Sequence, residues 1–147
     1  MNARDIIAAL AMKPHPEGGW YVETMRDNPN GGPNGERGHS TAIYFLLERG
    51  EQSAWHCVKD AVEVWHFHAG AALELRIAPA SGPVEAITLG IDIAAGERPQ
   101  AIVPAGHWQS AASLGEWTLV GCTVAPGFEF SSFEMAPAGW EPGQPLV

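Results

Sequence analysis

Two short apolar stretches carry the side chains best suited to chemistry. The first reads Gly50, five residues, His56, one residue, Val58, four residues, Glu63, six residues, Gly70; the second is Pro104-Ala105-Gly106-His107-Trp108-Gln109. Side chains alternate faces along a strand, so His56 and Val58 share one face, and Glu63, Trp65 and Phe67 share one face of the next. A turn at Lys59 to Ala61 makes the His56 strand and the Glu63 strand a hairpin, with the imidazole opposite the carboxylate. Gln109, on a later strand, approaches the same point.

An imidazole beside a carboxylate supports general acid–base catalysis, with His56 as base and Glu63 orienting it. It serves equally as a pair of hydrogen-bonding groups that read a ligand. A third use is a divalent metal (Fe, Mn, Ni or Zn) held by His56, Glu63 and Gln109. That donor set is poor, because the Gln109 amide oxygen is neutral and Val58 supplies nothing. An Fe(II) centre wants two histidines and a carboxylate, so the residues favour no metal. His66-Phe67-His68 is a rival chelating pair with Glu74 as its carboxylate. In the preferred register these two rings point outward, under a neighbouring strand or against a dimer partner. Glu17, Tyr44, Trp65 and Gln109 are candidate ligand contacts: Glu17 at the mouth, Tyr44 on the wall, Trp65 as a stacking surface. His15, His39 and His107 read as loop or outer-face residues, and Asp60 as a turn residue.

These side chains need a scaffold of short strands. Residues 2 to 12 read as the one helix, with Asn2 and Asp5 as a capping box and Ile6, Ile7, Leu10 and Ala11 on one face. Pro14 and Pro16 end it. Strand-like runs follow at Gly18–Met25, Thr41–Leu47, Ala54–Val58, Val62–His68, Ala72–Ala78, Val84–Leu89, Gln100–Val103, Trp108–Ala112, Trp117–Val124 and Phe128–Met135. The run at Thr41 is apolar throughout, as expected of a strand covered on both faces. Asn28 to Gly38 reads as an exposed loop and the tail after Pro137 as irregular. Seventeen glycines and twelve prolines spread between the runs imply a sandwich, jelly roll or barrel.

The 147 residues suit one domain. A net charge of −9 disfavours nucleic acid as a partner. No apolar run is long enough to span a bilayer. The N-terminus lacks the basic-then-apolar pattern of a secretory signal, so the cytoplasm is the expected compartment. Cys57 and Cys122 form no C-x-x-C pair and read as small buried residues.

The spacing from Gly50 to Gly70 resembles the first motif of the cupin superfamily, with Val58 where the second histidine stands. Pro104 to Gln109 resembles the second motif, with Gln109 at its histidine. Together with Pro14-His15-Pro16-Glu17-Gly18-Gly19, Ser40 to Leu47 and Glu63 to Gly70, the pattern is similar to one branch, the DUF985 or Cupin_5 family, over residues 5 to 135. The resemblance implies an all-β fold, a double-stranded β-helix or jelly-roll barrel with one short N-terminal helix, usually dimeric and related in shape to sugar-nucleotide epimerases. The functional expectation is a protein that binds a small polar metabolite, such as a carbohydrate or nucleotide-sugar, inside the barrel, with isomerase- or epimerase-like chemistry by His56 and Glu63. The alternatives are a non-catalytic binding module with a degraded metal site and a metal-dependent enzyme. The expected assembly is a homodimer.

Overall fold

The computed structural model describes residues 1–28, 30 and 37–146; most of the loop expected over Asn28 to Gly38 therefore lies outside the described residues. The helix α1 (Ala3–Ala9) begins with a reciprocal cap. Asn2 Oδ1 accepts from the Asp5 N–H at 2.9 Å, and Asp5 Oδ2 accepts from the Asn2 N–H at 2.9 Å. It is shorter than the expected 2 to 12. Ala11 has a left-handed φ of 53° and is exposed, off the apolar face.

Eleven strands follow among the described residues: β1 (Lys13–Pro14), β2 (Trp20–Arg26), β3 (Thr41–Glu48), β4 (His56–Val58), β5 (Val62–Gly70), β6 (Leu73–Ala78), β7 (Glu85–Leu89), β8 (Gln100–Val103), β9 (Trp108–Ser113), β10 (Trp117–Ala125) and β11 (Phe133–Met135). They form two antiparallel sheets, a large one ordered β1-β2-β3-β10-β5-β8 and a small one ordered β11-β4-β9-β6-β7. Consecutive strands repeatedly change sheets, which is the jelly-roll wrapping. The inward faces share one core, including Phe45, Leu47, Trp65, Leu73, Leu75 and Val120.

One expectation about connectivity is corrected here. β4 and β5 do not form a hairpin, because β4 lies in the small sheet and β5 in the large one. Lys59 to Ala61 carry the chain across the barrel instead, so His56 and Glu63 face inward from opposite walls.

The outer faces are covered unequally. Ile6 and Ile7 of α1 pack with Leu46, Trp20, Tyr44 and Leu119 over the large sheet. This is why the run at Thr41 is apolar on both sides. On the small sheet, the irregular tail after Pro137 folds back and buries Trp140 against Trp108 and Trp55, at ring distances of 4.7 and 6.2 Å. Among the described residues no helix is long and apolar enough to cross a membrane.

Candidate functional site

The barrel holds a cavity of about 70 Å³. Its polar wall is formed by His15, Glu17, His56 and Glu63, and its apolar wall by Ile43, Val58, Val124, Phe128 and Phe133. Glu23, Arg26 and Phe130 stand at the mouth.

A glycine-bearing loop delivers the first two polar groups. The chain reverses through Gly18 and Gly19, with the Gly18 N–H donating to the His15 carbonyl at 3.0 Å and the His15 N–H to the Gly19 carbonyl at 2.9 Å. Gly19 has a φ of 75°, and a Cβ there would lie 2.8 Å from the Leu46 carbonyl oxygen; only glycine fits. The Ala54 N–H donates to the Glu17 carbonyl at 2.7 Å, tying this loop to the segment that leads into β4. His15 and Glu17 therefore hang into the barrel together, with side chains 6 and 7 % exposed.

His56, on β4, is 2 % exposed. Two acceptors compete for its Nδ1 proton: the Ala54 carbonyl at 2.8 Å and Glu17 Oε2 at 2.7 Å. The proton aligns with the carbonyl, and Glu17 Oε2 is left buried without an aligned hydrogen bond. With Nδ1 engaged, Nε2 is the ring nitrogen left for the cavity. Burial disfavours the imidazolium, but the Glu17 and Glu63 carboxylates and the Ala54 carbonyl outweigh it and push the His56 pKa up to about 9. His56 is therefore a cation at neutral pH.

His15 is held in the opposite state. Its Nδ1 accepts the Glu17 backbone N–H at 3.1 Å, so this nitrogen carries a lone pair and Nε2 carries the proton. The 3.3 Å approach of Glu17 Oε1 to the same nitrogen is not an ion pair. Burial lowers the His15 pKa, and Glu17 only partly opposes that. Tyr21, Phe45 and Phe133 pack edge-on around the ring.

Glu63 faces His56 from β5. Burial raises its pKa above the usual carboxyl range, against the opposing pull of His56. Gln109 Nε2 donates to Glu63 Oε1 at 2.8 Å, and the Trp65 indole N–H donates to Gln109 Oε1 at 2.7 Å. The indole can only donate, so the Gln109 oxygen must point at it and the amide nitrogen at Glu63. Cys122 lines the same cavity, and burial, with the Glu63 carboxylate nearby, holds its thiol well above its usual pKa, so it is inert.

The loop after β10 borders the mouth. Arg26 Nη1 donates to the Phe128 carbonyl at 2.9 Å while its Nε pairs with Glu23 at 2.6 Å. Arg37 donates to the Gly127 carbonyl and pairs with Asp60 at 2.8 Å. Asp60 thus joins a mouth contact rather than serving the turn alone.

His56, Glu63 and Glu17 come together as the sequence suggests, with Glu17 deep against His56 rather than at the mouth. Three other expected contacts are corrected. Tyr44 lies on the outer face of the large sheet, edge-on to His68 at 5.8 Å. Trp65 is 1 % exposed in the core, occluded behind the cavity wall, where it holds Gln109. Gln109 pairs with His56 in register but is 1 % exposed and lies behind Glu63. His66 and His68 take the outward role, His66 Nε2 lying 3.1 Å from Thr123 Oγ1. His15 was missed. It sits between two prolines with no periodic pattern to mark its face.

The cupin resemblance raises the question of a metal, and the donor set does not fit one. Gln109 spends its oxygen on Trp65 and presents an amide N–H₂ to Glu63. Val58 lines the cavity where a second imidazole would be needed. His15 presents a protonated Nε2, because its Nδ1 accepts from the Glu17 backbone N–H, and the His56 ring, with its raised pKa, is protonated at neutral pH, so neither offers a lone pair to a cation. Among the described residues no group of three His, Cys, Asp or Glu side chains is arranged to hold an ion.

Comparison with solved structures places the architecture. The chain is 41% identical to protein SO0799 from Shewanella oneidensis, with a TM-score of 0.84 over 92% of this chain and 84% of that one. A hypothetical protein from Leishmania major is 29% identical, with a TM-score of 0.81 over 91% and 86%. A dTDP sugar isomerase from Desulfovibrio desulfuricans, at 15% identity and a TM-score of 0.60 over 90% and 89%, shares the fold. Among curated proteins no match is found. The family profile described as Cupin superfamily (DUF985) matches residues 4–136; with its two sheets wrapped as a jelly roll around an inward-facing histidine, this chain belongs to the Cupin_5 family.

Proposed function

We propose that the cavity is a general acid–base site for a small polar metabolite of carbohydrate type, with isomerase- or epimerase-like proton transfer as its chemistry. The observation that carries this reading is the placement of His56 and Glu63 on opposite walls of one cavity, each with its proton affinity moved upward. An imidazolium with a pKa of about 9 is a poor base at neutral pH. The roles expected from the sequence are therefore exchanged: His56 acts as the acid and Glu63, made more basic by burial, as the base. Gln109 and Trp65 position Glu63. The dTDP sugar isomerase contributes only the fold to this reading, at 15% identity.

The test is deuterium wash-in. A panel of aldoses, ketoses and nucleotide-linked keto sugars is incubated with the protein in D₂O and followed by proton NMR. At least one member exchanges the hydrogen next to its carbonyl, and Glu63→Gln slows that exchange by roughly 100-fold or more. Wash-in at the protein-free rate throughout, or an exchange indifferent to both Glu63→Gln and His56→Gln, overturns the proposal. Binding of a panel member without wash-in supports the non-catalytic alternative.

A further inference from the structure

The groups that face the cavity with hydrogen-bonding capacity to spare describe the ligand. Glu17 Oε2 is a carboxylate oxygen that is buried, lines the cavity and receives no aligned hydrogen bond. Its charged neighbour is His56 Nδ1 at 2.7 Å, whose proton is directed at the Ala54 carbonyl; a carboxylate oxygen accepts more than one hydrogen bond, so a ligand donor finds an open lone pair there. Beside it are two ring nitrogens with protons to give, Nε2 of His15 and Nε2 of His56. Their Nδ1 atoms are occupied by the Glu17 N–H and the Ala54 carbonyl, and among the described residues neither Nε2 has a hydrogen-bond partner. The wall therefore offers one anionic acceptor next to two donors.

We infer that the cavity is built for a hydroxyl group adjacent to a carbonyl, an α-hydroxycarbonyl end of two or three carbons, read by Glu17 and His15 in addition to His56. The hydroxyl donates to Glu17 Oε2, and the carbonyl oxygen accepts from His56 and His15. Size sets the same limit. The cavity, at about 70 Å³, is roughly half of an engineered ~150 Å³ cavity that holds benzene. Only the reacting end of a sugar enters, and any remainder lies at the mouth beside Phe130, which is 56 % exposed.

This inference rests on the acid–base reading for its chemistry, though not for its binding. Glu63 takes the proton from the hydroxyl-bearing carbon while His56 gives its Nε2 proton to the carbonyl oxygen, which leaves a neutral enediol. His56 then takes the proton of the other hydroxyl as Glu63 returns its proton to the former carbonyl carbon. The carbonyl has moved by one carbon, and neither oxidant nor co-reactant is consumed. His15 stays neutral throughout and contributes one fixed hydrogen bond.

The experiment compares hydroxyacetone, acetone and 1,2-propanediol by saturation-transfer NMR titration against the intact protein. Hydroxyacetone is expected to bind at least roughly tenfold more tightly than either single-function probe, the scale of one hydrogen bond to a charged acceptor. Glu17→Ala and His15→Leu each shrink that ratio. If either variant loses its near-UV circular dichroism, the three-probe comparison on the unmodified protein still decides. Equal binding of hydroxyacetone and acetone, or undetectable binding of all three, overturns the inference. A clear hydroxyacetone preference without deuterium wash-in would instead remove the acid–base reading and leave the ligand class standing.

Discussion

Gln109 and Glu63 join the two sheets across the interior of the barrel. Gln109 belongs to β9 of the small sheet and Glu63 to β5 of the large one, and their 2.8 Å hydrogen bond is backed by Trp65, also of β5, donating to the same amide at 2.7 Å. One side chain thus satisfies two buried groups on the opposite wall. Buried polar networks of this kind hold a single geometry only while every member is paired.

Gln109→Leu should therefore cost more than its near-equal volume suggests. It strands the Trp65 N–H and strips Glu63 of a donor, and leaving buried polar groups unpaired costs about 1–3 kcal/mol each. Urea unfolding should show a loss of roughly 2–4 kcal/mol. The acidic limb of any wash-in profile should also move to higher pH, because Glu63 loses a hydrogen bond that favours its charged form. A loss under about 0.5 kcal/mol, the scale of an ordinary surface substitution, would show that the network contributes nothing.

The charge on His56 should appear in the pH dependence of stability. Its folded pKa, about 9, lies above the value near 6.5 expected when unfolded. The folded state therefore holds the proton more tightly. This contribution is complete below about pH 6.5 and is lost as pH rises toward 9, with a slope of at most about 1.4 kcal/mol per pH unit for one proton. His15, whose pKa is lowered by burial, has the opposite sign, but its effect ends by about pH 6.5. Urea unfolding at intervals from pH 6.5 to 9 should show a decline that His56→Gln flattens. An unchanged slope in the variant would mean that His56 is not the titrating group.

Much of the barrel was legible because its punctuation is local. Gly and Pro between apolar runs mark strand ends, and alternation put Glu63 and Trp65 on one inward face. Other features depend on long-range contacts. A three-residue link such as Lys59 to Ala61 looks alike whether it turns a hairpin or crosses between sheets. Alternation along Thr41–Leu47 separates two faces without saying which is inside, because α1 makes the outer face apolar as well. That is why Tyr44 was placed on the wrong side. Trp65 had the right parity, but only packing reveals that it stops behind the cavity wall.

Tyr44→Phe tests the corrected placement. Tyr44 packs edge-on to His68 outside the barrel, and among the described residues its hydroxyl makes no protein hydrogen bond. The substitution should leave hydroxyacetone binding and wash-in unchanged and stability within about 0.5 kcal/mol. A tenfold loss of binding would return Tyr44 to the cavity.

The donor chemistry makes a prediction about metals. Purified protein titrated with Zn²⁺, Ni²⁺, Mn²⁺ or Fe²⁺ should show no stoichiometric binding that depends on His56, by calorimetry or elemental analysis. Chelation should leave the unfolding midpoint unmoved. One equivalent of metal, retained through gel filtration and lost in His56→Ala, would show that the His56 ring gives up its proton to coordination.

Gly19→Ala tests whether the loop geometry places Glu17. The residue occupies φ 75°, and its Cβ would meet the Leu46 carbonyl at 2.8 Å and a Leu47 methyl at 2.9 Å. A left-handed non-glycine residue costs about 1–3 kcal/mol, and backbone cannot yield as a flexible side chain would. The loop would relieve the clash by moving away from β3, carrying His15 and Glu17 with it. The unfolding free energy should fall by at least about 1 kcal/mol, and the preference for hydroxyacetone over acetone should shrink even in molecules that remain folded. Gly50→Ala is the matched control. Gly50 is also left-handed, at φ 82°, but a Cβ there meets nothing within 4 Å, so it carries the backbone strain without the clash. If both variants lose the same stability and both keep the probe preference, the close approach at Gly19 has no part in seating Glu17.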